Sequence, residues 1–272
     1  MIRPAAVAGT WYPGTASGLA AAVDAHMAHA IRDVEGGLVA LIVPHAGLMY
    51  SGPVAAHAYR LLAGRSFDLA VIVGPSHFVS FDGVAVYPSG GFDTPFGVVP
   101  IDAGCAATLA EVSAVVREHP PAHAREHSIE MQLPFVCRLA PGLPIVPLVM
   151  GRQTAATADA LGDALGVVCR GRRALLVAST DLSHYHDAHE AARLDAVVID
   201  RVSRFDAEGL QAALDANPEH ACGGGPAIAV MRAARHLGAR DAVVLQYGDS
   251  GDVSGDKSAV VGYLAAALGN FP

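Results

Sequence analysis

The sequence is short of cysteine and charge, and it has no long hydrophobic run. Its four cysteines stand in no Cys-x-x-Cys spacing, which argues against a disulfide framework and favours reduced thiols of a cytoplasmic protein. No apolar stretch reaches the ~18 residues of a membrane span. The amino-terminal segment MIRPAAVAGTWYPG lacks the apolar core of a signal peptide. We therefore expect a cytoplasmic protein with no membrane partner.

Positive charge is also scarce. The chain has 18 Lys and Arg residues against 26 Asp and Glu residues, a formal net charge of −8. Because nucleic-acid binding needs a basic face, we expect no nucleic-acid partner. The net charge does not exclude a small-molecule substrate, because the charge of a local pocket can differ from that of the whole chain. Apolar residues are abundant, with 52% hydrophobic against 16% charged, which predicts a large core rather than disorder.

Short apolar runs followed by turn residues recur along the chain. They predict strands buried on both faces at residues 38–43, 69–73, 145–149, 174–178 and 242–247, with residues 259–265 as a further strand or the start of a last helix. Helical patterns lie between them at residues 16–31, 53–62, 103–117, 128–139, 155–169, 188–202 and 225–237. The Gly- and Pro-rich residues 81–101 indicate a hairpin or long loop. This alternation predicts one α/β domain over residues 1–272, with a mostly parallel or mixed central sheet flanked by helices.

Four of the predicted strands are followed by histidine or aspartate. These residues are His45, His77, Asp181 with His184, and Asp249 with Asp252. Ligands of open α/β sheets bind beyond the carboxyl ends of the strands, so we expect these side chains to share one crevice. Two imidazoles and a carboxylate are the ligands of non-haem Fe(II) sites, and Zn²⁺ accepts the same set with a water. The alternative is structural, because Asp in a Gly-rich loop commonly makes turns.

Two further motifs stay open between a structural and a functional interpretation. The segment EHSIE from Glu126 opens a predicted helix, either as a cap or with His127 and Glu130 as a His–Glu pair aimed into the crevice. The segment CGGGP from Cys222 looks like a phosphate-cradling loop, but it lacks the GxxxxGK[ST] pattern. A tight turn with a packed Cys222 thiol is the default interpretation.

Six segments resemble, in order, the Memo family, which in prokaryotes is also called AmmeMemoRadiSam system protein B. They read AGTWYP from Ala8, PHAG from Pro44, GPSH from Gly74, EHSIE from Glu126, TDLSH from Thr180 and CGGGP from Cys222. The family is similar in fold to class III extradiol dioxygenases. The resemblance therefore implies a single α/β domain with a divalent metal at His45 and His77, with Fe(II) as the first expectation and copper or zinc as alternatives.

The resemblance leaves the third metal ligand open. In eukaryotic members this ligand is a cysteine in the loop corresponding to residues 248–256, and no cysteine stands there in this chain. The resemblance places Asp252 nearest that position, with Asp249 as the alternative. The motif of Asp181 and His184 borders the family's site, and the dioxygenases use a histidine as the acid–base group. We thus expect the metal ligands His45, His77 and Asp252, and catalytic roles for His184, Asp181, His127 and Glu130.

The expected function is that of a non-haem Fe(II)-dependent oxidoreductase or dioxygenase acting on a small organic substrate with O₂. One alternative is a non-catalytic metal- or phosphopeptide-binding adaptor that uses the same crevice. Another is a zinc-dependent hydrolase. The prokaryotic family is associated by name with a radical SAM protein and an AMMECR1-like protein, so the resemblance also implies these as partners.

Overall fold

The computed structural model describes residues 1–30 and 34–272 of the chain. These residues contain two β-sheets. The strands are β1 (Ile2–Arg3), β2 (Gly37–Val43), β3 (Leu69–Pro75), β4 (Val84–Val86), β5 (Gly91–Phe92), β6 (Val99–Pro100), β7 (Val116–Glu118), β8 (Ile145–Met150), β9 (Ala174–Ser179), β10 (His184–His186), β11 (Asp241–Asp249) and β12 (Val260–Asn270). A small sheet has the order β1-β5-β6. The remaining strands form the central sheet, and the whole is a mixed α/β fold.

Strand direction in the central sheet sets where the candidate site lies. The order is β11-β12-β2-β9-β3-β8-β4-β7, and β10 pairs with the start of β12. The four strands β2, β9, β3 and β8 are parallel, so their carboxyl ends share one edge. Strand β12 is antiparallel to both β11 and β2, so β11 runs parallel to β2 and ends at that same edge. Because β12 lies between them, β11 is two strand spacings, about 10 Å, from β2.

Helices cover both faces of this sheet. They are α1 (Ala16–His29), α2 (Leu48–Tyr59), α3 (Ala103–Val112), α4 (Pro120–His123), α5 (Leu133–Leu139), α6 (Ala155–Val168), α7 (Ala188–Ser203), α8 (Ala207–Ala216), α9 (Gly224–His236) and α10 (Gly251–Ser254). Ala40 and Ile42 of β2 pack into one apolar core, whereas Leu41 and Val43 pack into the other. Because both faces are buried, the strand reads as an unbroken apolar run. No helix of the described residues is long and apolar enough to cross a bilayer.

Several predicted boundaries differ from the structure. The helix predicted over residues 103–117 ends at Val112, and Val116 instead pairs with Val84 of β4 as part of β7, which suits its branched side chain. The helix predicted from residue 53 begins at Leu48, so that Pro53 lies inside it. Of the predicted segment 259–265, residues 260–265 belong to the strand β12, so the strand alternative is confirmed. Ile31, the predicted end of the first helix, lies outside the described residues.

The helix predicted over residues 128–139 is shorter than its pattern. A single 3₁₀ turn at Glu130–Gln132 precedes α5, which begins at Leu133. The predicted hairpin or long loop at residues 81–101 contains β4, β5 and β6, and β5 pairs with β6 in an antiparallel hairpin. The segment before α5 is therefore irregular, and its side chains do not follow a helical face.

Candidate metal centre

Loops at the carboxyl edge of the sheet bring His45 and His77 together. His45 follows β2 and His77 follows β3. Their ring centroids lie 5.2 Å apart, with the rings at 76° to each other. One ligand atom from each ring and the Cys222 Sγ all lie within 4.8 Å of one another. The predicted convergence of His45 and His77 is thus present, and a thiol joins them.

The hydrogen bonds of His45 fix its tautomer. Ser179 Oγ donates to the Ser128 carbonyl at 2.6 Å, so its lone pairs accept from His45 Nδ1 at 3.0 Å. The Nε2 lone pair is therefore free, and it faces Cys222 Sγ at 3.4 Å. Burial, and then the nearby rings of His77 and His127, hold the pKa of His45 well below its usual 6.5. The ring is neutral, which is the form that binds metal.

Glu126 orients His77 in the same way. Its carboxylate accepts from His77 Nδ1 at 2.8 Å and from the His77 backbone N–H at 2.6 Å. Burial alone would raise the pKa of Glu126, but its hydrogen bonds with His77 and the charge of that ring lower it to about 2. Because an ionised carboxylate only accepts, Nδ1 of His77 carries the proton and Nε2 is free. Such outer partners are typical of metal-binding histidines.

Cys222 reaches this pair from the loop before α9. Its backbone N–H donates to the Asp181 carbonyl at 3.2 Å, and the Gly223 N–H donates to Thr180 Oγ1 at 2.9 Å. A Cβ at Gly223 would lie 2.5 Å from the Ser179 carbonyl oxygen, so the close approach needs glycine. Burial raises the pKa of the Cys222 thiol far above its usual range. The free thiol is protonated, and a metal ion would bind it as thiolate.

Asp181 lies behind the ligands. Its Oδ1 accepts from the His45 backbone N–H at 2.7 Å, and its own N–H lies 3.3 Å from Cys222 Sγ. Burial raises the pKa of Asp181 to about 7. These contacts hold the main chain of His45 and the thiol of Cys222, so we interpret Asp181 as a positioning residue. Its predicted catalytic role stays a prediction.

Two further histidines border the cluster. His127 stacks on His77 with ring centroids 4.5 Å apart, and Trp11 packs against His127 at 4.4 Å. Burial lowers the pKa of His127 to about 4. Burial also lowers the pKa of the half-buried His184, which lies close enough to His45 and His77 to interact electrostatically with both. Both rings are neutral near pH 7. Their catalytic roles stay predictions.

A cavity of about 570 Å³ opens beside these residues. Its wall includes Trp11, which packs on His127, Ala46, which follows His45, and Tyr185, which follows His184. Tyr50 and Tyr263 add two more aromatic side chains. None of the candidate ligands lines this cavity, but Trp11, Ala46 and Tyr185 connect its wall to the cluster.

Glu130 is not in the crevice. It is fully buried, forms an ion pair with Arg3, and accepts from the Tyr12 hydroxyl at 2.6 Å. Because Glu130 lies in a 3₁₀ turn and not in the predicted helix, its side chain points to the amino-terminal segment. The predicted pair of His127 with Glu130 does not form, and the carboxylate near His127 is Glu126, at 3.7 Å.

Asp252 and Asp249 also lie apart from the histidine pair. Lys257 Nζ binds Asp249 Oδ1 at 2.7 Å and Asp252 Oδ1 at 2.5 Å, and Asp249 also accepts from the Gly251 N–H at 2.8 Å. Neither aspartate belongs to a group of described side chains whose ligand atoms lie within 4.8 Å of one another. The cause is topological, since β12 separates β11 from β2. The geometry therefore favours Cys222 over Asp252 as the third ligand.

The donor set fits a metal ion. Two imidazoles, each with its Nδ1 held by a partner and its Nε2 left for a metal, and one thiol provide three ligands, and fewer than four protein ligands leave a position for water or substrate. A second group, made of His77, Glu126 and His127, is as close, but Glu126 already accepts hydrogen bonds from His77. Sequence reasoning missed Cys222 and Glu126 as site residues. The run of three glycines after Cys222 was the available signal for a close approach.

The fold and the site together define an α/β protein with a candidate metal centre at the carboxyl edge of a parallel array of strands. A family model described as Memo-like protein matches residues 3–267. The chain belongs to the Memo family.

Relatives agree with this assignment, and a solved structure shares the fold. A MEMO1 family protein of Ignicoccus hospitalis is 38% identical and covers 97% of this chain and 98% of its own length. A MEMO1 family protein of Methanothermobacter thermautotrophicus is 36% identical, with 97% and 99% covered. The crystal structure of an uncharacterized protein from Escherichia coli K12 matches with a TM-score of 0.58 at 16% identity, over 86% of this chain and 100% of that one. The last likeness concerns the fold alone.

Proposed function

We propose that the chain is a metal-dependent oxidoreductase that holds Fe(II) with His45, His77 and Cys222 and acts on a small organic substrate with O₂. One observation carries the proposal: ligand atoms of two imidazoles and a thiol converge within 4.8 Å of one another, near a cavity of about 570 Å³ whose wall includes Ala46, the residue after His45. The Nε2 atoms of both rings are free because Ser179 and Glu126 hold the Nδ1 atoms. The site is thus arranged for a metal with open positions, not for a closed structural ion.

A bound Fe(II) ion would supply Lewis-acid and one-electron redox chemistry at its open positions. The chain's own residues supply the surroundings. Trp11 and Tyr50 line the cavity and offer aromatic surface to a substrate. His184, neutral near pH 7 because burial lowers its pKa, is the candidate acceptor for a proton from a substrate hydroxyl, whereas the pKa of about 4 makes His127 a weaker base. Asp181 and Glu126 keep His45 and His77 in place.

The first test is metal retention and O₂ uptake. Protein reconstituted anaerobically with Fe(II) is desalted, and iron is measured in the wild type and in His45→Ala, His77→Ala and Cys222→Ala. The exposed His29 provides the control variant His29→Ala. We expect about one iron per wild-type and control chain and a large loss in the three site variants, because three ligands share the ion. O₂ uptake with catechols and other small aromatic alcohols then tests turnover. Iron retention that is indifferent to the three substitutions would falsify the proposal.

The third ligand has a separate test. Cys222→Ser should lower metal affinity and remove the thiolate-to-metal charge-transfer absorption, whereas Asp252→Asn should leave both unchanged. The reason is that Asp252 is bound to Lys257 and the Asp249 backbone. The reverse pattern would return Asp252 to the ligand set and remove Cys222 from it.

A second candidate function is metal binding without turnover, and the thiol donor favours it. Thiolate ligands suit Cu(I), and the same set also accepts zinc. Elemental analysis of protein purified without added metal separates iron from copper and zinc. Copper bound tightly, with no O₂ uptake on any candidate substrate, would support a copper-binding role. Association with radical SAM and AMMECR1-like proteins remains a proposal, testable by co-purification.

A further inference from the structure

A second large cavity, of about 660 Å³, lies at the opposite edge of the sheet from the metal centre. Its wall includes the first residues of β2, the residue that starts β9, the segment before β3, the turn after α6 and the end of α9. The length of β2 separates this edge from His45, which is about 20 Å for a strand of this size. A ligand here would not touch the metal ligands.

The wall of this cavity is basic. Four of its residues are Arg65, Arg170, Arg172 and Arg173, and none of the described residues that line it is acidic. The chain as a whole has a formal net charge of −8, so this concentration of guanidinium groups departs from the rest of the surface. Clefts lined by one sign of charge concentrate ions of the opposite sign.

Two of these arginines have acidic partners outside the wall. Arg172 binds Asp102 at 2.6 Å, and Arg173 binds Asp68 at 2.7 Å. Their charges are therefore largely compensated. They hold the shape of the turn after α6 more than they attract a ligand.

Arg65 and Arg170 keep their charges uncompensated within the described chain. Arg65 donates to the Leu61 carbonyl, to the Val34 carbonyl at 3.0 Å and to the Gly36 carbonyl at 3.1 Å. These carbonyls orient the guanidinium but do not neutralise it. Arg170 is exposed, and its side chain forms no hydrogen bond or ion pair with a described residue.

The shape of the cavity leaves space around these charges. Gly171 and Gly238 have positive φ angles of 76° and 92°, and a Cβ at either would meet nothing within 4 Å. Leu38 and Phe67 contribute apolar surface to the wall. The cavity thus joins free cationic groups to an apolar surface, in a volume that suits a small organic ligand.

We propose that this cavity binds a small polyanion, a molecule with two or more phosphate or carboxylate groups, through Arg65 and Arg170. The planar guanidinium of Arg170 can donate two parallel hydrogen bonds to such oxygens, which a single exposed lysine cannot. Arg65 already uses three of its five N–H groups on carbonyls, so it contributes its charge and its two remaining donors. Arg65 is already oriented by its three carbonyl contacts, and Arg170 is free to close on the ligand. The site is independent of the metal and of the proposed oxidoreductase activity.

Calorimetric titration of the full chain at low ionic strength tests the proposal. The probes are pyrophosphate and citrate, with sodium chloride of matched ionic strength as the control. We expect saturable binding of at least one probe. Its affinity should be about tenfold or more weaker in Arg170→Gln, because that variant loses at least one charge-assisted hydrogen bond to the ligand. The matched control Arg193→Gln removes an exposed arginine on α7 that pairs with Glu190, and it should bind as the wild type does.

The outcomes are distinct. Binding of pyrophosphate alone assigns a phosphate ligand, and binding of citrate alone assigns a carboxylate ligand. Arg170 is exposed and unpartnered, so Arg170→Gln should fold normally. Arg65→Gln, checked by circular dichroism because it holds the 34–36 segment, should also weaken binding. The proposal would be overturned by no saturable binding at millimolar probe, by wild-type affinity in both Arg170→Gln and Arg65→Gln, or by loss of binding in His45→Ala.

Discussion

Replacing Glu126 by glutamine tests whether this carboxylate holds the metal centre together. Its two oxygens accept from four N–H groups, those of His77 Nδ1 at 2.8 Å, the His77 backbone at 2.6 Å, and the His127 and Ser128 backbones at 2.9 Å each. Glutamine keeps the shape but replaces one oxygen by a donor. At least one N–H must then face another donor inside the protein, which costs about 1–3 kcal/mol.

The pKa of Glu126 gives an independent magnitude. A fall from the usual 4.5 to about 2 corresponds to about 3 kcal/mol of folding free energy. The pKa is lower in the folded chain, so this stability is present above pH 4.5 and is lost as the pH falls toward 2. Glu126→Gln should therefore unfold more easily in urea at pH 7. Its unfolding free energy should also depend less on pH below 4.5.

Metal affinity is the second readout of Glu126→Gln. Removing the outer partner of a ligating histidine typically lowers affinity about 10- to 100-fold. Anaerobic calorimetry of the metal-free protein with Fe(II) measures this loss. Glu130→Gln is the matched control, because Glu130 is also buried in this segment but contacts Arg3 and Tyr12 and no proposed ligand. Wild-type affinity in Glu126→Gln, or an equal loss in both variants, would refute the role given to Glu126.

Three further predictions concern the supports of the site. Gly223→Ala should lower metal affinity and reduce the free energy of unfolding by about 1–3 kcal/mol, because the added Cβ would lie 2.5 Å from the Ser179 carbonyl oxygen. Gly37→Ala is the control, because a Cβ there meets nothing within 4 Å. Calorimetry measures the metal affinity, and urea unfolding measures the stability. Burial lowers the pKa of His123 to about 3, so this residue alone should contribute about 2 kcal/mol to the stability lost between pH 6.5 and pH 5, and His123→Leu should reduce the decline in urea unfolding by about that amount. Arg3→Met leaves the Glu130 carboxylate buried without its cation and should lower the free energy of unfolding in urea by about 3–5 kcal/mol. A decrease below about 1 kcal/mol would contradict the importance of this ion pair.

The sequence predicted the part of the site that depends on strand direction. His45 and His77 each follow an apolar run that forms a buried parallel strand, and parallel strands end at one edge. The order of strands in the sheet is a long-range property that apolar runs do not encode. The insertion of antiparallel β12 beside β2 therefore removed Asp252 from the expected position, and no local pattern signalled it.

The missed residues come from irregular segments. Glu126 precedes His127 in a stretch with neither helical nor strand periodicity, so its direction was not predictable from spacing. The helical pattern assumed from residue 128 instead favoured Glu130, which the 3₁₀ turn directs toward Arg3. Cys222 is brought to His45 by contacts with Thr180 and Asp181 across the sheet edge, and such contacts between distant segments leave no local signature.

The order of the proposed ligands along the chain has a consequence for biosynthesis. His45 and His77 emerge from the ribosome early, but Cys222 follows 145 residues after His77 and is held by Asp181, itself in the second half of the chain. A nascent chain that ends before residue 222 exposes two imidazoles without the thiol. The proposed three-ligand site can therefore be completed only late, after most of the polypeptide has been translated.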